Sequence, residues 1–268
     1  MRLNQFFSNH SVFTLEDLDN YLCNHGSENP NTRKALLAYH KKKGRIISIR
    51  RGLYAVVPLG SSHKSFTADP FLITAKMTKD SVLAYHTALE FKGKAYSVFN
   101  RLYYFSKQKS VPLSYHSHEI KQVAIPNELL QKQSEMIGVE SQERKGVDVR
   151  VTTFERTLVD MLDRPELTGS WEEIWRTLET IEYFDMDRVI EYVSLLQNAT
   201  TAAKVGYFLD KHKENLLLQE NDLKPLKKFL PQNPHYMVKK SKHAGKYIDD
   251  WNLIVPEEIL NTTWADEL

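Results

Sequence analysis

The chain has 268 residues, of which 41% are hydrophobic, 26% are charged and one is a cysteine. These proportions are those of a globular protein and exclude collagen-like, low-complexity and wholly disordered chains. The single cysteine excludes an internal disulfide and a cysteine-rich zinc site. The first residues lack the apolar stretch of a signal peptide, and no run reaches the ~18 apolar residues of a membrane span. We therefore expect a cytoplasmic protein that does not enter membranes.

The formal net charge of +2 hides an uneven distribution. Residues 1–60 contain nine basic and four acidic residues and so carry +5, whereas the remaining 27 basic and 30 acidic residues give −3. Within residues 31–51 there are eight basic residues and no acidic one. This asymmetry indicates a segment that binds a polyanion, and a solvated basic face is the alternative.

A short helix is predicted after Val12. Thr14 is a suitable N-cap, and Asp17 three residues later forms a weak version of the capping box. Gly26 suits the end of this helix because it tolerates the left-handed backbone of a C-cap. Apolar residues recur at helical spacing and define the buried face: Leu15, Leu18, Tyr21 and Leu22.

A second helix is predicted from about Asn31 to Lys43. Pro30 fits its first turn, where the missing N–H would have no partner, and Gly44 ends it. Its inward residues are expected to be Ala35, Leu36 and Tyr39. The basic side chains are expected to face mostly outward: Arg33, Lys34, Lys41 and Lys42.

A β-hairpin is predicted directly after the second helix, with strands at 45–49 and 53–57 and a turn at 50–52. Two helices followed by a hairpin are typical of a winged helix-turn-helix over residues 1–60, in which the second helix reads DNA and the wing contacts phosphates. A winged helix that binds protein is the alternative. The predicted DNA-binding residues are Asn31, Thr32, Arg33, Lys34, Lys41, Lys42, Arg45, Arg50 and Arg51.

Residues 61–65 are interpreted as a linker to a larger mixed α/β domain over 66–268, which makes the expected fold class α+β. This domain is predicted to be rich in strands over about 96–152 and helical over about 153–230. Thr152 and Glu155 are expected to form a capping box at the start of the helical half. The remaining predicted helices are 70–77, 82–91, 171–181, 185–196, 199–211 and 223–229. The remaining predicted strands are 135–139 and 147–152, with a turn at 144–146, and 236–238 and 252–255.

Several sequence stretches together resemble the AbiEi antitoxin family of AbiE-type, type IV toxin–antitoxin and phage-defence (abortive infection) systems. The similarity runs over nearly the whole chain, and its most specific part is the Glu-Arg-Thr-Leu-Val-Asp stretch at 155–160. The matching stretches are 51–54, 68–71, 84–90, 153–160, 164–166, 203–209 and 251–256.

The resemblance implies an N-terminal winged helix that binds inverted repeats in its own promoter and represses the operon. It also implies a C-terminal antitoxin domain that acts against a nucleotidyltransferase-like toxin, with direct contact between the two proteins left open. It implies neither an enzyme nor a cofactor. The chain is expected to be a monomer or a weak dimer that pairs on DNA. Basic surface on the C-terminal domain would be local: Lys224, Lys227, Lys228, Lys239, Lys240 and Lys242.

The alternative from a different class is a winged-helix protein whose C-terminal domain is an enzyme acting on nucleic acid or nucleotide. His116 and His118 would share one face of a strand, as a metal site requires, but no third ligand is identifiable. Three further constellations are interpreted as structural: His86 with Glu90, the helix start at Glu155, Arg156 and Asp160, and Cys23 as a small half-buried side chain. Trp251 and Trp264 are predicted to pack rather than to stack on bases.

Overall fold

A computed structural model of the protein describes residues 3–238 and 245–260. Over those residues it is a mixed α/β structure with three sheets, and it divides into two compact units. The described part of the first unit comprises 3–83, 99–123 and 141–151, and the second comprises 84–98, 124–140, 152–238 and 245–260. The separate domains at 1–60 and 66–268 stay a prediction.

The first unit opens with a helix, a strand, two helices and a hairpin. These elements are α1 (Asn4–Asn9), β1 (Val12–Thr14), α2 (Leu15–Asn24), α3 (Pro30–Lys42), β2 (Ile46–Arg50) and β3 (Leu53–Val56). The three strands form an antiparallel sheet in the order β1-β3-β2. A single apolar cluster joins the helices to this sheet: Leu3, Phe6, Phe7, Phe13, Leu18, Leu22, Leu37, Ile46 and Tyr54.

Local sequence signals account for the starts and turns of these elements. The Thr14 hydroxyl accepts from the Asp17 amide at 3.1 Å, and the Asp17 carboxylate accepts from the Thr14 amide at 2.8 Å, which confirms the predicted capping box. Pro30 occupies the first turn of α3, as predicted. Gly52 has φ +84°, which permits the tight turn between β2 and β3. The predicted helices and hairpin are therefore confirmed within one or two residues. The sequence reasoning missed α1 and β1.

The predicted inward face of α3 is wrong in register. Leu37 and His40 are buried, whereas Tyr39 is 56% exposed and Ala35 is exposed. Leu36 alone of the three predicted residues packs against the core cluster. The stripe centres on Leu37 and His40 because the His40 ring lies edge-on to Phe7, with 4.9 Å between the ring centroids. His40 thus takes the inward position that the sequence predicted for Tyr39.

The rest of the first unit is a six-stranded sheet and one helix that precedes it. The helix is α4 (Pro70–Ala75), and the strands are β4 (Val82–Leu83), β5 (Arg101–Phe105), β6 (Leu113–Tyr115), β7 (His118–Val123), β8 (Val139–Arg144) and β9 (Val147–Thr152). The order is β6-β7-β5-β4-β9-β8, with β5 parallel to β7 and β4 parallel to β9. Lys145 and Gly146 both have positive φ, as the type I′ form of a two-residue hairpin turn requires, which confirms the predicted turn.

Two predictions about this region are wrong. Residues 82–91 were predicted as one helix, but β4 takes Val82–Leu83 and the helix α5 covers only His86–Phe91. Val82 and Leu83 are completely buried and pair with β5 on one side, and this pairing outweighs the local helical signal. The strand predicted at 135–139 is shifted along the chain, because residues 135–138 form turns and β8 begins at Val139.

The second unit is mainly helical, as predicted for 153–230. Its helices are α5, α6 (Asn127–Gln131), α7 (Phe154–Asp163), α8 (Trp171–Glu179), α9 (Met186–Leu196), α10 (Ala199–Lys211), α11 (Glu220–Leu223) and α12 (Glu257–Leu260). A small sheet in the order β10-β12-β11 contains β10 (His235–Tyr236), β11 (Gly245–Ile248) and β12 (Leu253–Pro256). The helix predicted at 223–229 is present as a 3-10 helix over Lys224–Phe229, and Leu223 is the last residue of α11.

The cap of α7 lies one residue later than predicted. Thr153, not Thr152, is the N-cap, and its hydroxyl accepts from the Arg156 amide. Thr152 is completely buried, and its hydroxyl lies 2.7 Å from that of Thr157. Glu155 accepts from the Asp185 amide at 3.2 Å and so supports the start of α9 instead of closing a capping box.

Trp251 is a packing residue, as predicted. It is 1% exposed and its indole N–H donates to Asp210 at 3.1 Å. Its ring lies against Gly206 of α10, where the absence of a side chain leaves room for it. Trp264, Lys239, Lys240 and Lys242, about which predictions were made, lie outside the described residues.

Candidate nucleic-acid interface

The exposed face of α3 combines lysines with small side chains. Lys34, Lys41 and Lys42 are exposed, as predicted, and Asn31 is exposed in the first turn. Ala35 and Ala38 are exposed between them, so the centre of this face carries no bulky side chain. A helix with a flat centre and cationic flanks can approach a DNA groove closely, and alanine can contact a thymine methyl group.

The N-terminal turn of α3 is fixed by its own cap. The Asn29 side chain accepts from the Asn31 amide at 2.9 Å, and Pro30 follows it in the first turn. Thr32 is half-buried beside them. The turn therefore presents the Asn31 side chain from a defined backbone, which a base contact requires.

Two of the predicted cations are engaged inside the first unit. The Arg33 guanidinium forms an ion pair with Asp19 of α2 and is 24% exposed. The Arg45 guanidinium donates to the Asn4 side chain at 3.0 Å and lies 5.2 Å from the Phe7 ring centroid. Both residues hold neighbouring elements together. The Asp19 carboxylate offsets the charge of Arg33, whereas the partners of Arg45 are neutral and fix its guanidinium without cancelling its charge.

The hairpin turn separates its two arginines. The Arg50 guanidinium is half-buried and donates to the Ser110 hydroxyl at 3.1 Å and to the Met77 carbonyl oxygen. Arg51 is exposed at the tip, and within the described residues it has no hydrogen-bond or ion-pair partner. All five N–H donors of the Arg51 guanidinium are therefore available to a ligand, whereas two donors of Arg50 are engaged.

Burial and aromatic contacts shape the electrostatics beside α3. Burial, helped by the charge of Arg45, lowers the pKa of His40, so its imidazole stays neutral and adds no charge to the face. The Lys41 ammonium lies 4.9 Å from the Tyr54 ring centroid, a cation–π contact that orients it without neutralising it. The exposed cations of this surface are Lys34, Lys41, Lys42, Lys43 and Arg51.

His116 and His86, which were considered for metal binding or catalysis, lie in a turn and in the buried core respectively. His116 has φ +51° and forms the turn between β6 and β7, so it does not share a strand face with His118, and that expectation is wrong. His86 is completely buried, with its Nε2 atom 3.0 Å from Glu173 and its Nδ1 atom 3.5 Å from Glu90. Glu173 also accepts from the Ser97 hydroxyl at 2.6 Å. In the described part of the chain, no group of three or more histidine, cysteine or carboxylate side chains could hold a metal ion.

The Glu-Arg-Thr-Leu-Val-Asp stretch is a buried polar core. The Arg156 guanidinium, 2% exposed, donates to the carbonyl oxygens of Glu135 and Ile137 at 2.6 and 2.7 Å and to Asp160 at 3.3 Å. Asp160 also accepts from the Tyr192 hydroxyl at 2.7 Å. Burial is the main influence on the Asp160 carboxyl and raises its pKa, against the opposing effects of Arg156 and Tyr192. These contacts join α7 to α9 and to the 135–137 turn.

Cys23 is exposed, so the prediction of a half-buried side chain is wrong. Its thiol lies 3.6 Å from a Glu28 carboxylate oxygen. That hydrogen bond and the negative charge of Glu28 raise the pKa of the thiol. A raised pKa reduces the thiolate fraction at neutral pH, which disfavours a nucleophilic role.

The sequence reasoning missed the internal partners of the basic residues. Asp19 lies 14 positions before Arg33, and Met77 lies 27 positions after Arg50, so neither pairing follows from local spacing. The exposed alanines carried a signal that could have been read, because positions 31, 34, 35, 38, 41 and 42 share one helical face. A face centred on alanines leaves Leu37 and His40 to point inward.

Comparison with known proteins finds similarity to a solved structure but no match to a family model or a curated protein. The chain is similar in structure to the RV2827C protein from Mycobacterium tuberculosis, with a TM-score of 0.60 and 16% sequence identity. The match covers 94% of this chain and 89% of that one. At this identity the similarity shows that the two chains share a fold over most of their length. None of the helices over residues 3–238 and 245–260 has both the length and the apolar character that a membrane span needs.

Proposed function

We propose that this protein is an AbiEi-like antitoxin that also binds its own promoter DNA through an N-terminal winged helix-turn-helix and represses its operon. The observation that carries the DNA-binding part is the exposed face of α3, with Lys34, Lys41 and Lys42 around Ala35 and Ala38. The element order and the β1-β3-β2 sheet support a winged helix in which α3 is the recognition helix and β2–β3 is the wing.

The proposed contacts divide into two kinds. Lysines of α3 and Arg51 at the wing tip would neutralise backbone phosphates, which gives affinity but little sequence discrimination. Asn31 and the alanine face would lie against base edges and supply discrimination. Arg33, Arg45 and Arg50 would position these elements through their internal contacts.

The proposed antitoxin role rests on the resemblance of the motif stretches to the AbiEi family. Its partner would be a nucleotidyltransferase-like toxin encoded beside it, and the role would be non-enzymatic. The internal engagement of His86, Arg156 and Asp160 supports a non-enzymatic role, because each of these side chains holds neighbouring elements together.

The DNA-binding proposal is tested with a triple variant, Lys34→Ala, Lys41→Ala and Lys42→Ala, in fluorescence anisotropy titrations against the operon's promoter. Each phosphate contact contributes about 0.9 to the slope of log K against log salt, so we expect the slope to fall by about 2 to 3. The matched control removes three exposed lysines of the second unit, Lys211, Lys224 and Lys228, and is expected to leave the slope unchanged. An unchanged slope in the α3 variant, or an equal loss in the control, would contradict the assignment.

The antitoxin proposal is tested by growth rescue. The full chain is expressed together with the adjacent nucleotidyltransferase-like protein, and we expect it to restore growth. The α3 triple variant is expected to restore growth equally while a promoter reporter shows loss of repression. Failure of the unaltered chain to rescue growth would reject the antitoxin role without affecting the DNA-binding proposal.

A further inference from the structure

An open cavity of about 540 Å³ lies within the first unit beside the hairpin turn. It is lined by the first turn of α2, by Arg50–Gly52, by the segment around Lys76–Lys79 and by Asp148 and Arg150 of β9. Its volume is in the range of about 300 to 1,000 Å³ that is typical of small-molecule sites. The proposed DNA-binding function does not account for it, because Lys76, Lys79 and Arg150 are remote in sequence from α3 and the wing.

The lining has an excess of positive charge after its internal ion pairs are formed. Lys76 lies 3.1 Å from Asp17, and Lys79 lies 2.6 Å from Glu16. Burial alone would raise the pKa of Asp17, but the Thr14 amide and the Lys76 ammonium outweigh burial and lower it, so this carboxylate is ionised and paired. Three arginines then remain against a single carboxylate: Arg50, Arg51 and Arg150 against Asp148.

Two of these arginines are held by neutral partners, which fixes them without cancelling their charge. Arg50 donates to the Ser110 hydroxyl and the Met77 carbonyl oxygen, and Arg150 donates to the Lys79 carbonyl oxygen. A guanidinium has five N–H donors. Within the described residues, these contacts use two donors of Arg50 and one of Arg150. The remaining donors can bind two oxygens of one phosphate side by side, the geometry that arginine favours.

We propose that this cavity binds a compact phosphate-bearing small molecule through Arg50, Arg51 and Arg150. No aromatic side chain is among the described residues that line it, so recognition lies in the phosphate group and not in a stacked base. Arg51 also belongs to the wing tip, so a phosphate bound in the cavity would make one cation unavailable to DNA. This consequence rests on the proposed function, whereas the phosphate binding itself does not.

The binding is tested by isothermal titration of the full chain with inorganic phosphate and with pyrophosphate, with sodium chloride keeping the ionic strength constant. We expect saturable binding at one site. Charge-assisted hydrogen bonds are worth enough that Arg51→Gln and Arg150→Gln are each expected to weaken binding about tenfold or more. Arg188→Gln removes an exposed arginine of the second unit and is expected to leave binding unchanged.

Absence of saturable binding would overturn the proposal, and so would binding that survives the Arg51→Gln, Arg150→Gln double variant. An equal loss in Arg188→Gln would show attraction by overall charge and would also overturn it. Thermal unfolding of each variant distinguishes lost binding from lost folding. If Arg150→Gln unfolds the chain, Arg51→Gln at the exposed tip still tests the site.

A backbone phosphate of DNA has the same chemistry, so a second arm titrates the promoter duplex. We expect Arg150→Gln to leave DNA affinity unchanged and the α3 triple variant to leave pyrophosphate binding unchanged. Loss of DNA affinity in Arg150→Gln, without pyrophosphate binding to the unaltered chain, would assign the cavity to DNA and overturn the small-molecule proposal. Pyrophosphate binding without DNA binding would instead reject the proposed function alone.

Discussion

Gly206 lies directly against the ring of Trp251. Whether Gly206→Ala lowers or raises the free energy of unfolding should therefore depend on the side chain at position 251. A Cβ atom built on Gly206 would lie 1.9 Å from Cζ3, 2.1 Å from Cε3 and 2.6 Å from Cη2 of Trp251. Non-bonded carbons prefer separations of about 3.5 to 4.0 Å, so in Gly206→Ala the indole has to move by roughly 1.5 to 2 Å. Trp251 is 1% exposed, and the hydrogen bond that its indole N–H donates to Asp210 would be lost with that movement.

Two opposing free energies decide the result. Replacing glycine by alanine inside a helix stabilises it by about 1 kcal/mol. Overpacking a core typically costs about 1 to 3 kcal/mol, and full expulsion of the indole, which buries about 150 to 250 Å², would cost about 4 to 6 kcal/mol at about 25 cal/mol per Å². Subtracting the helix gain leaves a loss of about 0 to 2 kcal/mol if the core repacks and about 3 to 5 kcal/mol if the indole is expelled. A movement of roughly 1.5 to 2 Å lies between these two cases, so we expect Gly206→Ala to lower the free energy of unfolding by about 2 to 4 kcal/mol.

The decisive comparison repeats the substitution in a Trp251→Leu background, because leucine lacks the ring carbons that meet the new Cβ atom. There, Gly206→Ala is expected to raise the free energy of unfolding by up to about 1 kcal/mol, since helix propensity is then the main effect. Urea unfolding followed by far-ultraviolet circular dichroism measures both backgrounds without relying on tryptophan emission. A neutral or stabilising Gly206→Ala in the unaltered chain, or the same sign in both backgrounds, would refute the packing explanation.

Three further predictions concern other parts of the chain. Arg156→Gln leaves Asp160 buried without its cation and should lower the free energy of unfolding by about 3 to 5 kcal/mol; a loss below 1 kcal/mol in urea unfolding would contradict this. Asp17→Asn should destabilise by about 1 to 2 kcal/mol at pH 7. Because the pKa of Asp17 is lowered from 3.8, this difference is present above that pH and should disappear as the pH falls through the lowered pKa, in unfolding measured from pH 7 to 2. Ala38→Glu should abolish promoter binding in anisotropy titrations without changing the thermal midpoint, and unchanged binding would remove α3 from the interface.

Local signals predicted the starts of α2 and α3 and the turn between β2 and β3. Thr14 with Asp17, Pro30 and Gly52 each act through backbone atoms a few positions away, so their effects can be inferred from the sequence alone. The register of α3 could not be inferred in this way. The ring of His40 is buried against Phe7, and α1, which supplies Phe7, was not predicted.

The motif stretches at 153–160 and 203–209 contribute buried residues to the core of the second unit. Arg156 and Asp160 join α7 to α9, the Lys204 ammonium donates to the Leu162 carbonyl oxygen at 3.0 Å, and Gly206 accommodates Trp251. Arg156 and Asp160 are four positions apart, as one helical turn allows, but the contacts of Asp160 with Tyr192, of Lys204 with Leu162 and of Gly206 with Trp251 link positions far apart in sequence, and spacing alone could not identify those partners. A buried charge is costly to leave without partners, so the carbonyl oxygens that accept from Arg156 and Lys204 give both side chains a structural role.

The basic run at 31–51 shows what a count of charges leaves undecided. Eight cations indicated a polyanion-binding surface, but three of them have partners inside the first unit. Arg33 contacts Asp19, Arg45 contacts Asn4, and Arg50 contacts both Met77 and Ser110. The five that stay exposed lie on α3, at its C-cap and at the hairpin tip. If the whole run contacted phosphate, the salt slope would reflect about eight ions, whereas the exposed set limits the contribution of this segment to about 0.9 for each of five contacts. The measured slope of log K against log salt therefore distinguishes DNA contact by all eight cations of the run from contact by the five that the fold leaves exposed.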